Sequence, residues 1–113
     1  MKQNNFEKIL LDNKIVDNRN LYVILVKKRA LIPSFSIMVM GLYKDKLVFY
    51  KISTSYKLIK YISTIEIKNI DLIDIYNKHK ETIMNIYLNK DKKSYYILEN
   101  NQDIYSIKKT IKK

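Results

Sequence analysis

The chain has 113 residues, which is the size of a single domain with one hydrophobic core. Its 22 Lys and Arg residues outnumber 11 Asp and Glu residues, and the net charge of +11 favours anionic partners such as nucleic acid, acidic lipid or an acidic protein face. Cysteine is absent, which excludes disulfides, thiolate zinc sites and a cysteine nucleophile. Most of the positive charge is lysine, however, and lysine accompanies abundant Ile, Asn and Tyr. These residues have AT-rich codons, so genome composition is an alternative explanation of the charge.

The distribution of apolar residues predicts a protein without a transmembrane segment. The N-terminal residues lack the continuous apolar run of a secretory signal, so we expect a cytoplasmic location. The most apolar stretch, residues 21–43, is interrupted by a basic triplet and by Pro33, and neither half reaches the roughly 20 residues of a transmembrane helix. A chain of this kind that binds acidic lipid would lie peripherally at the inner face of the membrane.

The first elements in chain order are a short helix and a linker within residues 1–20. Phe6, Ile9 and Leu10 recur at helical spacing, which predicts a helix that ends near residue 13. Asn4, followed three residues later by Glu7, has the pattern of a capping box at the start of this helix.

From residue 21 onward, short runs rich in Ile, Val, Tyr and Phe are separated by charged or Asn-containing breaks, as is typical of β-strands. Predicted strands cover residues 21–27, 35–43, 46–52, 72–76, 82–88 and 94–98, and Leu58, Ile62, Ile65 and Ile67 mark one more between the third and fourth of these. Lys44 and Asp45 predict a tight hairpin between the second and third strands. Residues 89–93 predict another hairpin between the last two strands.

The hydrophobic period changes again after residue 99, where Ile104, Ile107 and Ile111 share one face of a helix. Asn100 or Asn101 is the candidate N-cap of this helix. An acidic residue in the first turn and lysines in the last turns match the preference of the helix dipole. We therefore predict an amphipathic C-terminal helix.

The order of seven short strands and a terminal amphipathic helix resembles the pleckstrin-homology-like superfold. Residues 41–50 (GLYKDKLVFY) resemble the hairpin of bacterial pleckstrin-homology-like domains, residues 65–70 the segment that leads into the fifth strand, and residues 94–98 the last strand. The resemblance covers residues 21–113 and leaves the N-terminal helix outside the shared core. It implies a mainly β (α+β) fold, in which a partly open barrel of about seven antiparallel strands is plugged by the C-terminal helix.

The resemblance also implies a noncatalytic interaction module that binds a protein partner or an anionic membrane surface. Domains of this fold typically bind phosphoinositides, peptides or proteins, although fold alone does not establish function. Lys27, Lys28 and Arg29 stand where lipid-binding members carry basic residues in the first interstrand loop. The chain departs from that pattern on the second strand, where residues 35–37 (FSI) replace the expected basic residue. Stereospecific recognition of an inositide is therefore not expected.

Three loops of such a barrel would lie at its open end, and each of them carries basic residues. The candidate anion-binding residues are Lys27, Lys28, Arg29, Lys57, Lys60, Lys90, Lys92 and Lys93. Each of them would contribute about 1 kcal/mol at most near an acidic bilayer. The alternative is a solvated surface without a specific ligand, because four other lysines are expected at the opposite end: Lys44, Lys46, Lys78 and Lys80.

The alternative function is a small basic nucleic-acid-binding protein, because ten tyrosines offer rings for base stacking. Tyrosines are also ordinary strand residues, so sheet packing is the competing explanation. An enzyme is not expected, because His79 is the only histidine and Asp71 and Asp74 would face opposite sides of a strand. We predict no cofactor and no metal site. The N-terminal helix is a candidate docking element, including for self-association in a homo-oligomer.

Overall fold

A computed structural model describes residues 2–17, 21–27, 37–99 and 107–109. Helix α1 spans Lys2–Asp12 and precedes a sheet of seven strands. The strands are β1 (Tyr22–Lys27), β2 (Ile37–Tyr43), β3 (Lys46–Ile52), β4 (Leu58–Glu66), β5 (Leu72–Lys78), β6 (Glu81–Leu88) and β7 (Asp91–Glu99). A short 3-10 helix, Ile67–Asn69, separates β4 from β5. Within the described ranges, no helix is long and apolar enough to cross a membrane.

The seven strands form one antiparallel sheet in the order β4-β3-β2-β1-β7-β6-β5. Strands β1 to β4 pair with their neighbours in sequence, as do β5 to β7, and the pairing of β1 with β7 joins the two groups. The mainly β prediction and its seven strands are therefore confirmed. Among the described residues no pairing joins β4 to β5, so the sheet is open and these two are its end strands.

The main hydrophobic core lies on one face of the sheet, which we call the inner face. Alternate residues of most strands point into it, such as Val23 and Leu25 of β1 and Met84 and Ile86 of β6. Ile107, the middle isoleucine of the predicted C-terminal helix face, is fully buried in the same core. Residues 107–109 are helical, and the rest of that predicted helix lies outside the described residues.

A second cluster lies on the outer face of β1, β2 and β3, where α1 covers the sheet. Phe6 and Leu10 of the helix are buried against residues such as Val39 and Val48. The sheet occupies the apolar face of α1, which argues against the prediction that this face docks on a partner. The capping-box prediction is wrong, since the helix begins at Lys2 and Asn4 lies inside it.

Three of the hairpins in the described part of the chain, β2–β3, β5–β6 and β6–β7, close in turns of two residues. His79 and Lys80 both have positive φ, 51° and 67°, as a type I′ turn requires. The turn between β6 and β7 is Asn89 and Lys90, and the hairpin predicted over residues 89–93 is therefore tighter than expected. Strand β7 therefore begins earlier than predicted, at Asp91, because a left-handed turn residue allows strand pairing to continue up to the turn.

Two distant aspartates hold two of these turns in place. Lys44 and Asn89 open their turns, and both have φ of 55°. The backbone N–H of Lys44 donates to Asp17 Oδ2 at 2.7 Å, and the backbone N–H of Asn89 donates to Asp71 Oδ2 at 2.6 Å. Each carboxylate thus satisfies a backbone donor of a left-handed residue and ties the turn to a preceding loop.

Replacing either aspartate is expected to weaken the fold. Asp17→Ala and Asp71→Ala should each lower the free energy of unfolding by about 1 kcal/mol, because each leaves a turn amide without its charged acceptor. Urea denaturation measures this loss. Asp74→Ala is the control, since the described residues donate no hydrogen bond to that carboxylate. Losses of stability no larger than the loss in the control would contradict the role of Asp17 and Asp71 in holding the two turns.

Candidate anion-binding end of the sheet

The antiparallel pairing brings the three predicted loops to one end of the sheet, which we call the upper end. It is the end at which β1, β3 and β6 finish and β2, β4 and β7 begin. The other end, which we call the lower end, holds the turns at residues 44–45 and 79–80. The segment with the 3-10 helix links the two ends, since the N–H of Ile67 donates to the Asp45 carbonyl and the N–H of Asp71 donates to the Tyr87 carbonyl.

The predicted anion-binding residues fall at the upper end as far as the structure describes them. Lys57 and Lys60 are exposed at the start of β4, Lys90 and Lys92 are exposed in the β6–β7 hairpin, and Lys93 is half-buried beside them. Lys27 is the last residue of β1, whereas Lys28 and Arg29 lie outside the described residues.

The three loops extend to different distances along the strand direction. Lys27 pairs with Tyr95, so the β6–β7 hairpin continues beyond the end of β1 by the four residues from Asp91 to Ser94. At about 3.3 Å per residue, the tip of this hairpin stands roughly 13 Å beyond β1. The hairpin lysines therefore form one part of the upper end, and the lysines around β4 form another.

The two ends differ in how far acidic residues offset the lysines. At the upper end the described side chains include six lysines and two aspartates: Lys51, Lys57, Lys60, Lys90, Lys92, Lys93, Asp71 and Asp91. At the lower end the described side chains include six lysines and four acids: Lys14, Lys44, Lys46, Lys68, Lys78, Lys80, Asp17, Asp45, Glu66 and Glu81. Among the side chains of the strand ends and their connections, the upper end thus has the larger excess of lysines over acidic residues, with the charged residues of α1 and of residues 107–109 not counted at either end.

One basic residue of this end, Lys51 of β3, was missed by sequence reasoning. Lys51 pairs directly with Lys60 of β4, and Lys51 also pairs with Met38, whose side chain lies in the main core. Like charges placed directly opposite each other in an antiparallel pair repel. No acidic side chain among the described residues forms a salt bridge with either lysine, and a bound anion would relieve the repulsion.

The tyrosines do not form a stacking platform in the described part of the chain. Among the described tyrosines, Tyr22 and Tyr95 are buried, Tyr61 and Tyr76 are exposed, and the others are half-buried. The two exposed tyrosines lie on different end strands, β4 and β5. The ring of Tyr95 stacks on Phe49 with centroids 5.5 Å apart. Burial, together with the charge of Asp91, raises the pKa of Tyr95 to about 12.

The candidate catalytic groups are placed in structural or solvent-exposed positions. His79 is exposed in its turn, Asp71 holds the β6–β7 turn, and Asp74 is half-buried on β5. A groove of about 140 Å³ lies at the upper end, with Ile24 and Tyr56 among its mainly apolar lining. Its volume is below the roughly 300 Å³ at which small-molecule pockets begin.

Comparison with known proteins leaves the family of the chain open. No protein-family model matches the sequence, and no curated protein matches it.

Proposed function

We propose that the chain is a noncatalytic interaction module of the pleckstrin-homology-like type that binds an anionic surface, of a membrane or of a protein partner, through the upper end of its sheet. The observation that carries the proposal is the excess of lysines over acidic residues in the two parts of that end, the β6–β7 hairpin and the start of β4. The positions of Lys57, Lys60 and Lys92 support it, since each is exposed and none has an acidic partner among the described residues.

The strand order supports the pleckstrin-homology-like part of the proposal. Four strands in sequence pair as one meander, three pair as another, and the first strand joins the last. The plugged, partly open barrel is proposed on the same basis, with buried Ile107 as the described part of its plug. In such a barrel the interstrand loops are the natural place for a ligand, because a rigid sheet positions them.

The nucleic-acid alternative has less support from the described residues. Base stacking needs neighbouring exposed rings, and the two most exposed tyrosines do not share a strand or a pair of adjacent strands. Oligonucleotides therefore serve as a comparison ligand, with binding at about 50 mM salt as the condition that favours electrostatic association.

Two matched sets of lysine substitutions test the proposal. Lys57→Gln, Lys60→Gln and Lys92→Gln together should weaken binding to anionic vesicles or to polyglutamate about tenfold or more, because each lysine contributes up to about 1 kcal/mol near a charged surface. Cosedimentation with anionic and neutral vesicles, and titration with polyglutamate, measure the affinities at low and physiological salt.

The matched control replaces three exposed lysines of the lower end, Lys46→Gln, Lys78→Gln and Lys80→Gln. This variant has the same net charge, and its affinity should stay close to that of the wild type. The absence of binding to both anionic probes at low salt would refute the proposed function.

A further inference from the structure

Strand β4 exposes apolar side chains at two irregularities in its pairing with β3. The pairing register between β3 and β4 skips two residues of β4, Ile59 and Ile62, at these irregularities. Each is the extra residue of a β-bulge, a feature that redirects a side chain. Ile59 is 57% exposed and Ile62 is 42% exposed. The two bulges therefore coincide with two solvent-exposed isoleucines on end strand β4.

Tyr61 lies between these isoleucines and is held in a fixed position. It is 51% exposed, its ring packs edge-on against Tyr50 with centroids 5.5 Å apart, and its hydroxyl group is 2.7 Å from the Thr64 hydroxyl. The three exposed side chains fall within four residues, which span roughly 10 Å of strand. Their closeness along this end strand defines an exposed apolar and aromatic segment, which we call the β4 patch.

Lysines lie beside this patch on end strand β4, with Lys60 and Lys51 on the inner face of the sheet and Tyr61 on the outer face. Lys57 precedes β4, Lys60 lies within it, and Lys51 is directly opposite Lys60 on β3. Because β4 is an end strand, an edge-on approach brings its exposed apolar residues, its tyrosine and its neighbouring lysines to one surface, and this combination complements the interface of an anionic bilayer. There apolar side chains enter between the headgroups, tyrosine prefers the boundary, and cations contact the headgroups.

The same bulges argue against a protein strand as the occupant. Addition of a strand to a sheet edge needs a regular row of free N–H and C=O groups, and bulges interrupt that row. The headgroup region of a bilayer has no such requirement, because water and lipid polar groups can hydrogen-bond to the remaining backbone groups. Insertion would accordingly be limited to about 5–10 Å, the depth of an interfacial element.

We propose that β4 is the element by which the chain docks on an anionic lipid bilayer. The exposed side chains Ile59, Tyr61 and Ile62 enter the headgroup region, and the neighbouring lysines contact the lipid phosphates. This inference rests on the proposed function and identifies the anionic surface as that of a membrane.

Removing the two bulge isoleucines tests the inference. The double variant Ile59→Ser with Ile62→Ser should bind mixed phosphatidylglycerol and phosphatidylcholine vesicles about 10- to 30-fold more weakly than the wild type, because it loses two partly inserted apolar side chains. The control is Leu72→Ser with Leu98→Ser, which removes side chains that are 55% and 50% exposed on β5 and β7. Its affinity should equal that of the wild type.

A fluorescence measurement locates the inserted strand independently of affinity. The chain has no tryptophan, so an introduced indole is its only one. Ile62→Trp should show a blue-shifted emission on addition of phosphatidylglycerol vesicles, since the indole leaves water. Tyr76→Trp, on the other end strand, should show no shift. A shift for Tyr76→Trp without one for Ile62→Trp would overturn the inference.

The outcomes separate this inference from the proposed function. Vesicle binding that is equally strong in the β4 variant and its control overturns docking through β4 and leaves anionic-surface binding in place. Binding to polyglutamate without binding to vesicles overturns docking on lipid and favours a protein ligand. Failure to bind either probe removes both proposals.

Discussion

Gly41→Ala is expected to lower the free energy of unfolding by about 3 kcal/mol, near the upper end of overpacking costs. Gly41 lies in β2 beneath the loop that follows α1. A Cβ atom at this position would meet the carbonyl oxygen of Ile15 and would lie 2.6 Å from Val16 Cγ1 and 2.7 Å from Ile15 Cγ2. Glycine is therefore required at position 41, because the loop leaves no space for a Cβ atom.

The loop above Gly41 cannot move away without loss of hydrogen bonds. The N–H of Ile15 donates to the carbonyl of Leu10 at 2.9 Å, and the N–H of Asp17 donates to the carbonyl of Leu42 at 3.3 Å. Adding Val16→Ala to Gly41→Ala should restore little stability, because the backbone oxygen of Ile15 stays in place. Chemical denaturation measures both variants. Wild-type stability of Gly41→Ala would contradict the packing of this loop on β2.

Alkaline pH is expected to destabilise the protein through Tyr95. The pKa of this hydroxyl is about 12 in the folded chain and 10.0 in the unfolded chain, because burial favours the neutral form and Asp91 adds to the effect. Its contribution to stability is complete below pH 10 and is lost as the pH rises from 10 to about 12. The loss over this window amounts to about 3 kcal/mol.

Tyr95→Phe removes this pH dependence while keeping a ring that stacks on Phe49. Denaturation midpoints measured between pH 9 and 12 should therefore fall less steeply for Tyr95→Phe than for the wild type. Tyr76→Phe, which removes a more exposed hydroxyl, is the control and should follow the wild type. A Tyr95→Phe variant with the slope of the wild type would mean that this hydroxyl ionises as readily in the folded state as in the unfolded state.

Much of the fold could be predicted because regular elements have local signatures. Strand β3 was predicted over its observed range, since the charged pair Lys44 and Asp45 marks its hairpin and a run of apolar and aromatic residues follows it. The prediction of β4 was less complete, because its two bulges break the alternation that identifies a strand. Bulges depend on pairing with the neighbouring strand, which one segment alone does not reveal.

The candidate site was predicted only in part, and for the same reason. The basic loops could be assigned to one end of the sheet once an order of strands was assumed. Lys51 could not be assigned, because its place opposite Lys60 depends on the register across two bulges. Nor did the sequence single out Ile59 and Ile62 as exposed, since isoleucine in a strand is ordinarily a packing residue. Long-range register therefore determines both the opposed lysines and the β4 patch.

The central claim is that the upper end of the sheet binds an anionic surface, and the two lysine variants test it most directly. Both lose three charges, so a difference between them depends on position alone. Binding through the upper end predicts that Lys57→Gln, Lys60→Gln and Lys92→Gln together weaken binding to phosphatidylglycerol vesicles or polyglutamate about tenfold or more, with the lower-end variant near wild type. Equal weakening in the two variants would contradict the claim, because the charge would then act as an even coat without a site.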